Sequence, residues 1–214
     1  QVEAAKAAQS GMRGQIEKAS LADIRSKPDL LQFATTGGKA IFADNCAPCH
    51  GRGAQGGKGY PNLNDDDWIW GGSLEAIQQT IKHGIRWSGV GETRESAMPR
   101  FGLDGMLEAK QIADTAEYVL SLSGASSDAA AAERGKAIFA EQCAACHGED
   151  GKGNKELGAP NLSDAIWLYG GNKQSVMESI KTGRGGAMPA WAGRLDTSAI
   201  KSLALYVHSL GGGK

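Results

Sequence analysis

Two pentapeptides in this chain place the same three reactive side chains at the same spacing: Cys46-Ala47-Pro48-Cys49-His50 and Cys143-Ala144-Ala145-Cys146-His147. Thiols three positions apart lie about one helical turn apart, so each can form a thioether with one vinyl group of a single porphyrin. The histidine that follows brings an imidazole under the iron as proximal ligand. This is the attachment spacing of a c-type haem. Its repetition predicts two haem c groups, with Cys46, Cys49, Cys143 and Cys146 as thioether donors and His50 and His147 as iron ligands. A thioredoxin-like dithiol needs no histidine after it. A four-cysteine zinc site would have to join Cys49 to Cys143, 94 positions away and out of register with the repeat around them. The two motifs use all four cysteines and two of the four histidines.

The elements that must position these groups recur as well. Gly38-Lys39-Ala40-Ile41-Phe42-Ala43 reappears as Gly135-Lys136-Ala137-Ile138-Phe139-Ala140 at an offset of 97, which also carries Cys46 to Cys143. Pro61-Asn62-Leu63, Trp68, Gly71-Gly72 and Ile81-Lys82 return at 99, Ala97-Met98-Pro99 at 90 and Tyr118-Val119 at 88. The falling offset places an insertion in copy one between Ile85 and Ser96. The chain is thus expected to hold an arm over 1–36, one module over 37–124, a short flexible linker or fraying helix end over 125–133 and a second module over 134–214. Modules this small have marginal cores, and a covalently held porphyrin supplies the missing apolar bulk. Ile112, Ala116, Val119 and Leu120 fall at helical spacing, as do Ile200, Leu203, Ala204 and Val207, and no period-two pattern competes. The fold class is all-α. A short helix should run from about Gly38 into Cys46, with Gly38 permitting a close helix crossing. The Ala-rich arm reads as a helix ending near Pro28, followed by an extended lead-in.

The repeat also discriminates among the five methionines. Met98 and Met188 are the pair that align with each other, both within Ala-Met-Pro, whereas Met177 aligns with Gln78, Met106 falls opposite Asp196 and Met12 lies in the arm. Proline stiffens the loop that presents the thioether. Met98 and Met188 are therefore the expected distal iron ligands, Met98 on the first haem. His83 aligns with Thr182 and His208 with Leu120. His83 is expected to be a solvated or hydrogen-bonded surface residue, its alternative being to displace Met98, and His208 a partly exposed residue of the last helix. Histidine with methionine fills both axial positions and raises the reduction potential, which favours an electron relay over a haem enzyme. Trp68 with Trp167, and Trp70 with Tyr169, suit either packing on haem or hydrogen bonding to its propionates.

The formal net charge of −1 excludes the basic balance of a nucleic-acid-binding protein. The acidic excess lies in copy one, with 8 Lys and Arg against 11 Asp and Glu, which hints at a lower potential for its haem. No run of 18 apolar residues occurs, and there is no basic segment followed by an apolar signal core. Haem c attachment implies the outer side of the cytoplasmic membrane, so the sequence reads as a processed or truncated soluble portion.

Longer phrases extend these motifs. Copy one carries Tyr60-Pro61-Asn62-Leu63-Asn64, Asp67-Trp68-Ile69-Trp70-Gly71-Gly72 and Thr93-Arg94-Glu95-Ser96-Ala97-Met98-Pro99. Copy two carries Gly158-Ala159-Pro160-Asn161-Leu162-Ser163-Asp164, Ile166-Trp167-Leu168-Tyr169-Gly170, Ala187-Met188-Pro189-Ala190-Trp191 and Tyr206-Val207-His208-Ser209-Leu210. Over about 37–212 the chain resembles the dihaem cytochrome c subunit of cbb3-type cytochrome c oxidases. The resemblance implies two tandem class I cytochrome c domains on the periplasmic side of the bacterial inner membrane. It implies a non-catalytic subunit that takes electrons from a cytochrome c donor and passes them, through a monohaem c subunit, to a catalytic haem–copper subunit. It also implies an N-terminal membrane anchor that this sequence does not include, residues 1–36 then being the membrane-proximal linker. The alternatives are a free dihaem cytochrome c4-like shuttle and, further off, a dihaem peroxidase, which needs an iron with an accessible site.

Overall fold

The computed structural model describes residues 2–211, with side chains from residue 7 onward. Among these residues the regular structure is helical, accompanied by a few isolated backbone bridges. The helices are α1 (Val2–Lys18), α2 (Leu21–Ser26), α3 (Pro28–Asn45), α4 (Ala47–His50), α5 (Leu74–His83), α6 (Ala109–Leu122), α7 (Ala129–Gln142), α8 (Ala144–His147), α9 (Lys173–Thr182) and α10 (Thr197–Leu210).

Two expected boundaries move. A helix does end just before Pro28, α2 at Ser26 with Lys27 as its cap, but no extended lead-in follows: Pro28 opens α3, where its fixed φ suits the first turn and its missing N–H costs nothing. The short helix expected from Gly38 is the latter half of this 18-residue α3. Of the two readings of 125–133, the structure shows the helix end and not a free linker. Asp128 caps α7 by accepting the Ala131 N–H at 2.9 Å, so Ala129 onward is helical. Ahead of it, the Glu117 carboxylate accepts from Ser126 Oγ at 2.7 Å, Ser127 N at 3.0 Å and Asp128 N at 3.2 Å.

The larger departure is in the division of the chain. One compact unit comprises Gln1–Glu95 with Ala187–Lys214, and the other Ser96–Gly186. The expected modules 37–124 and 134–214 follow the sequence repeat; the compact units instead combine the front half of each copy with the back half of the other. In the first unit α3 packs on α10. Gly38 lies against the Ser202 carbonyl and Tyr206 Cβ, where a side chain would overlap the backbone, and Phe42 meets Tyr206 edge to face at 5.5 Å. In the second unit α7 packs on α6 through the equivalent residues: Gly135 lies against the Asp114 carbonyl, and the Phe139 ring is 5.0 Å from Tyr118.

The cores follow the same exchange. Phe42, Ile77, Ile81, Ile200, Leu203, Ala204 and Val207 are buried together in the first unit. Phe101, Leu107, Ile112, Ala116, Val119, Leu120, Phe139, Val176 and Ile180 form the core of the second. Both periodic faces read from the sequence are thus buried, each against the other copy's front half. The arm belongs to the first unit. Ile16, Leu21, Ile24, Leu30 and Ala34 cover Leu74 and Leu205. Lys201 Nζ on α10 donates to the carbonyls of Ile16, Glu17 and Ala19 at 3.3, 2.8 and 2.6 Å, satisfying the orphan acceptors where α1 ends.

Candidate functional site

Each pentapeptide is a helix end followed by a single turn. The Cys46 N–H closes α3 on the Phe42 carbonyl at 2.8 Å, and His50 N then bonds the Cys46 carbonyl at 2.9 Å. Cys143 and His147 repeat this at 2.8 and 3.0 Å. The turn leaves Cys49 and Cys146 exposed, with Cys46 half-buried and Cys143 buried, and all four thiols are free. Gly51 and Gly148 then reverse the chain at φ values of 82° and 79° that other residues resist.

The imidazoles are oriented alike. His50 Nδ1 lies 3.2 Å from the Pro61 carbonyl and His147 Nδ1 3.0 Å from the Pro160 carbonyl. A carbonyl accepts only, so Nδ1 carries the proton and Nε2 keeps its lone pair for a metal. Burial depresses both imidazole pKa values and the carbonyl bond partly offsets it, which favours the neutral, ligating form. The repeated Pro-Asn-Leu had been legible as a repeat but not as the group that sets the tautomer. The thiols point away from redox chemistry: burial, and then the neighbouring cysteine, push Cys46 and Cys143 up to about 11, the opposite of an activated dithiol.

The methionines are exchanged between copies. Met188 is in the first unit, packed against the cluster that also receives Cys46, Trp68 and Trp191. Its N–H donates to the Ile85 carbonyl at 2.9 Å and its carbonyl accepts from Ile85 N at 3.0 Å. Gly84, at φ 72°, abuts Met188 O and Ala190 N with no room for a Cβ. Trp191 N and Ala192 N bond the Ile81 and Lys82 carbonyls at 3.1 and 3.2 Å, using the acceptors left open where α5 ends. Met98 is in the second unit, packed against the cluster that contains Cys143. Gly183, at φ 61°, abuts Met98 O and Pro99 in the same manner, and Gly102 N and Leu103 N both reach the Lys181 carbonyl at 3.1 Å. The structure therefore brings His50 together with Met188, and His147 with Met98, within one unit each. Reading each copy as self-contained gives the opposite pairs.

The remaining candidates fall elsewhere. His83 is not a surface residue: its side chain is 6 % exposed at the end of α5, and Nδ1 lies 3.1 Å from Glu92 Oε2. It shares its unit with Met188, not with Met98. His208 is half-buried in the last turn of α10. Met12 and Met177 pack against cores, and Met106 is exposed. The insertion in copy one folds back on itself, Arg86 N bonding the Arg94 carbonyl at 2.7 Å. It carries the Arg94 guanidinium to 5.0 Å above the Trp70 ring. Arg184 stands 5.3 Å above Tyr169, the counterpart of Trp70. The two arginines stand at the same offset of 90 as the Ala-Met-Pro that follows each of them, a sequence signal that links the pair.

These donors fit haem c. Each unit joins two thiols on one turn, an imidazole with a free Nε2 and a thioether in the same apolar core. Two buried donors, Trp68 Nε1 and Arg184 Nη1, have no hydrogen-bond partner among the described residues. Such groups are costly unless something accepts from them, and haem adds two carboxylates.

The profile of the family "Cytochrome C oxidase, cbb3-type, subunit III" matches residues 33–119 and 130–207. The chain is 52% identical to the cbb3-type cytochrome c oxidase subunit CcoP of Cereibacter sphaeroides, over 100% of this chain and 73% of that one. It is 58% identical to subunit FixP of a Bradyrhizobium species (strain ORS 278), over 92% of this chain and 68% of the relative. Against FixP of Sinorhizobium medicae the identity is 54%, over 99% and 72%.

Proposed function

This chain belongs to the family of subunit III of cbb3-type cytochrome c oxidases, and on that footing we propose that it is an electron-transfer subunit holding two haem c groups. Cys46 and Cys49 would attach one haem, with His50 and Met188 as the side chains that would bind its iron. Cys143 and Cys146 would attach the other, with His147 and Met98. The observation that carries this reading is the exchange itself: each unit contains one attachment motif and the other copy's Met-Pro, held by Gly84 and Ile85 or by Gly183.

When bound, haem supplies a one-electron Fe(III)/Fe(II) couple. The chain's own residues do the rest. Pro61 and Pro160 fix the imidazole tautomer and keep Nε2 directed to the metal. Gly84 and Gly183 let the methionine loops dock against α5 and α9, so thioether presentation is set by backbone contacts and not by the side chain alone. With an imidazole and a thioether both supplied by the chain, the iron would have no position left for a substrate, which supports a non-catalytic role. Electrons then pass from a cytochrome c donor toward a haem–copper subunit in aerobic respiration, by way of a monohaem c subunit, on the periplasmic side of the bacterial inner membrane. No helix among the described residues is long and apolar enough to cross a membrane.

The test is an optical spectrum of the holoprotein, oxidised and reduced, with and without carbon monoxide, alongside haem quantitation. Two low-spin haems per chain with a far-red sulfur-to-iron band and no response to carbon monoxide are expected. A high-spin or carbon-monoxide-reactive haem would overturn the ligand set and revive the peroxidase reading. Purification of the full-length gene product without any haem–copper subunit would favour a free dihaem carrier.

A further inference from the structure

The chain threads the two units in different orders. The first runs α3, pentapeptide, α5, Met188 loop and α10, but it is broken: the chain leaves after Glu95 and returns at Ala187. The second is the unbroken stretch Ser96–Gly186, in the permuted order Met98 loop, α6, α7, pentapeptide and α9. Its two ends are tied together, since Gly183 abuts Met98 O and Pro99 while Gly102 N and Leu103 N reach the Lys181 carbonyl at 3.1 Å. The two cut ends of the first unit meet on Ile85. On one side Arg94 N donates to the Gly84 carbonyl at 3.3 Å and the Arg94 carbonyl accepts from Arg86 N at 2.7 Å. On the other, Met188 exchanges two hydrogen bonds with Ile85 at 2.9 and 3.0 Å. Arg94 and Met188 therefore stand two strand spacings apart, roughly 10 Å.

Resting on the haem reading above, we infer that the two sites are coupled through the path of the chain, the second unit being nested in the first, so that each stabilises the other. The groups assigned to the second site, Cys143, Cys146, His147 and Met98, lie within one continuous segment. The first site needs Met188 brought to His50 across about 90 intervening residues. Folded, those residues hold their own ends close and deliver Ala187 back beside the point of departure, as an inserted domain does. Unfolded, they are a loose loop, and closing it disfavours the docking of 187–214 by a factor on the order of a hundred to a thousand. Coupling between two equilibria is reciprocal, so the first unit stabilises the second by the same factor. Consecutive modules joined by one linker would carry no such term. A chain lacking one haem is thus weakened at the other, and Met188 lies on the very segment that such a chain releases. The subunit fills its two sites as a pair.

The test uses the full-length holoprotein and native-state hydrogen exchange, read at the slowest amides of α10 for the first unit and of α6 for the second. Flexible Gly-Ser insertions of about twenty residues at both junctions, Glu95–Ser96 and Gly186–Ala187, remove the short tether and keep every side chain. Both sets of amides should then exchange roughly a hundredfold faster. The same insertion after the exposed Gly89 touches neither junction and should change both by less than about tenfold. Haem content and the far-red band of the unaltered protein report on the haem reading separately. If the lengthened chain does not assemble, Cys143→Ala/Cys146→Ala takes its place, with Gly135→Leu, whose side chain would overlap the Asp114 carbonyl, to open the second unit. There α10 exchange should rise by the same order. Rates unchanged in the protein tested, or raised in one unit of the lengthened chain and not in the other, overturn the inference.

Discussion

Gly84 and Gly183 carry more of the site than their size suggests. Both cap a helix, both have positive φ, and both abut the carbonyl of a methionine that the other copy supplies. Alanine at Gly183 costs about 1–2 kcal/mol from the left-handed backbone alone, before the clash with Met98 O is counted. The expected result of Gly183→Ala is a carbonyl-binding, partly high-spin haem on His147, and of Gly84→Ala the same on His50. Carbon monoxide difference spectra, with proton NMR of the iron-bound methionine methyls, check both. Loss of the Met98 methyl resonance in Gly84→Ala in place of Met188 would refute the exchanged pairing. At this scale the candidates were legible: the four cysteines, His50 and His147, and Met98 and Met188 all stand out on spacing and repetition alone. His83 was misread because burial depends on which helix covers α5. The arginines over Trp70 and Tyr169 share the offset of 90 with the Ala-Met-Pro after them, but no local pattern says which ring each one covers.

Among elements, α6 and α10 are the homologous pair that changed places, and their faces show why the exchange is specific. Glu117 of α6 is fully buried and receives Lys173 Nζ at 2.8 Å, while its repeat counterpart Leu205 packs with Leu74, the counterpart of Lys173. Likewise Asp114 takes a bidentate contact from Arg134 at 2.9 and 2.7 Å, where the first unit has Ser202 and Gly37. Returning α6 to its own copy's front half would set the Glu117 carboxylate against Leu74, a buried charge with no partner. The ion pair and the leucine pair therefore act as matched codes. Lys173→Leu and Glu117→Leu should each lower the thermal midpoint, and the double variant by clearly less than the two effects added. Melts of the four proteins complete the cycle, and strict additivity would show that the pair does not specify the packing.

For the whole molecule, acid is the probe that separates the units. The Lys173 contact, then the Ser126 and Ser127 bonds, hold Glu117 down at about 2, against the desolvation that opposes them. The Arg134 and Lys110 contacts hold Asp114 well below the usual carboxylate range. A depressed carboxylate contributes stability that is fully present above its unfolded value and is lost as pH falls through its folded value. The second unit should accordingly lose stability between the ordinary glutamate range and about pH 2, up to about 3 kcal/mol from Glu117. Urea titrations across that range, monitored at the haem, should show it, and Glu117→Gln should flatten it. By itself the sequence determined the all-α class, the duplication and which side chains are candidates for the site, because these rest on spacing and repetition along one chain. Only the tertiary structure decided which half of each copy completes which unit. Duplicated halves present the same glycine, aromatic and methionine contacts to either partner. The choice between them rests on long-range pairs, Glu117 with Lys173 and Leu205 with Leu74, which no local pattern links.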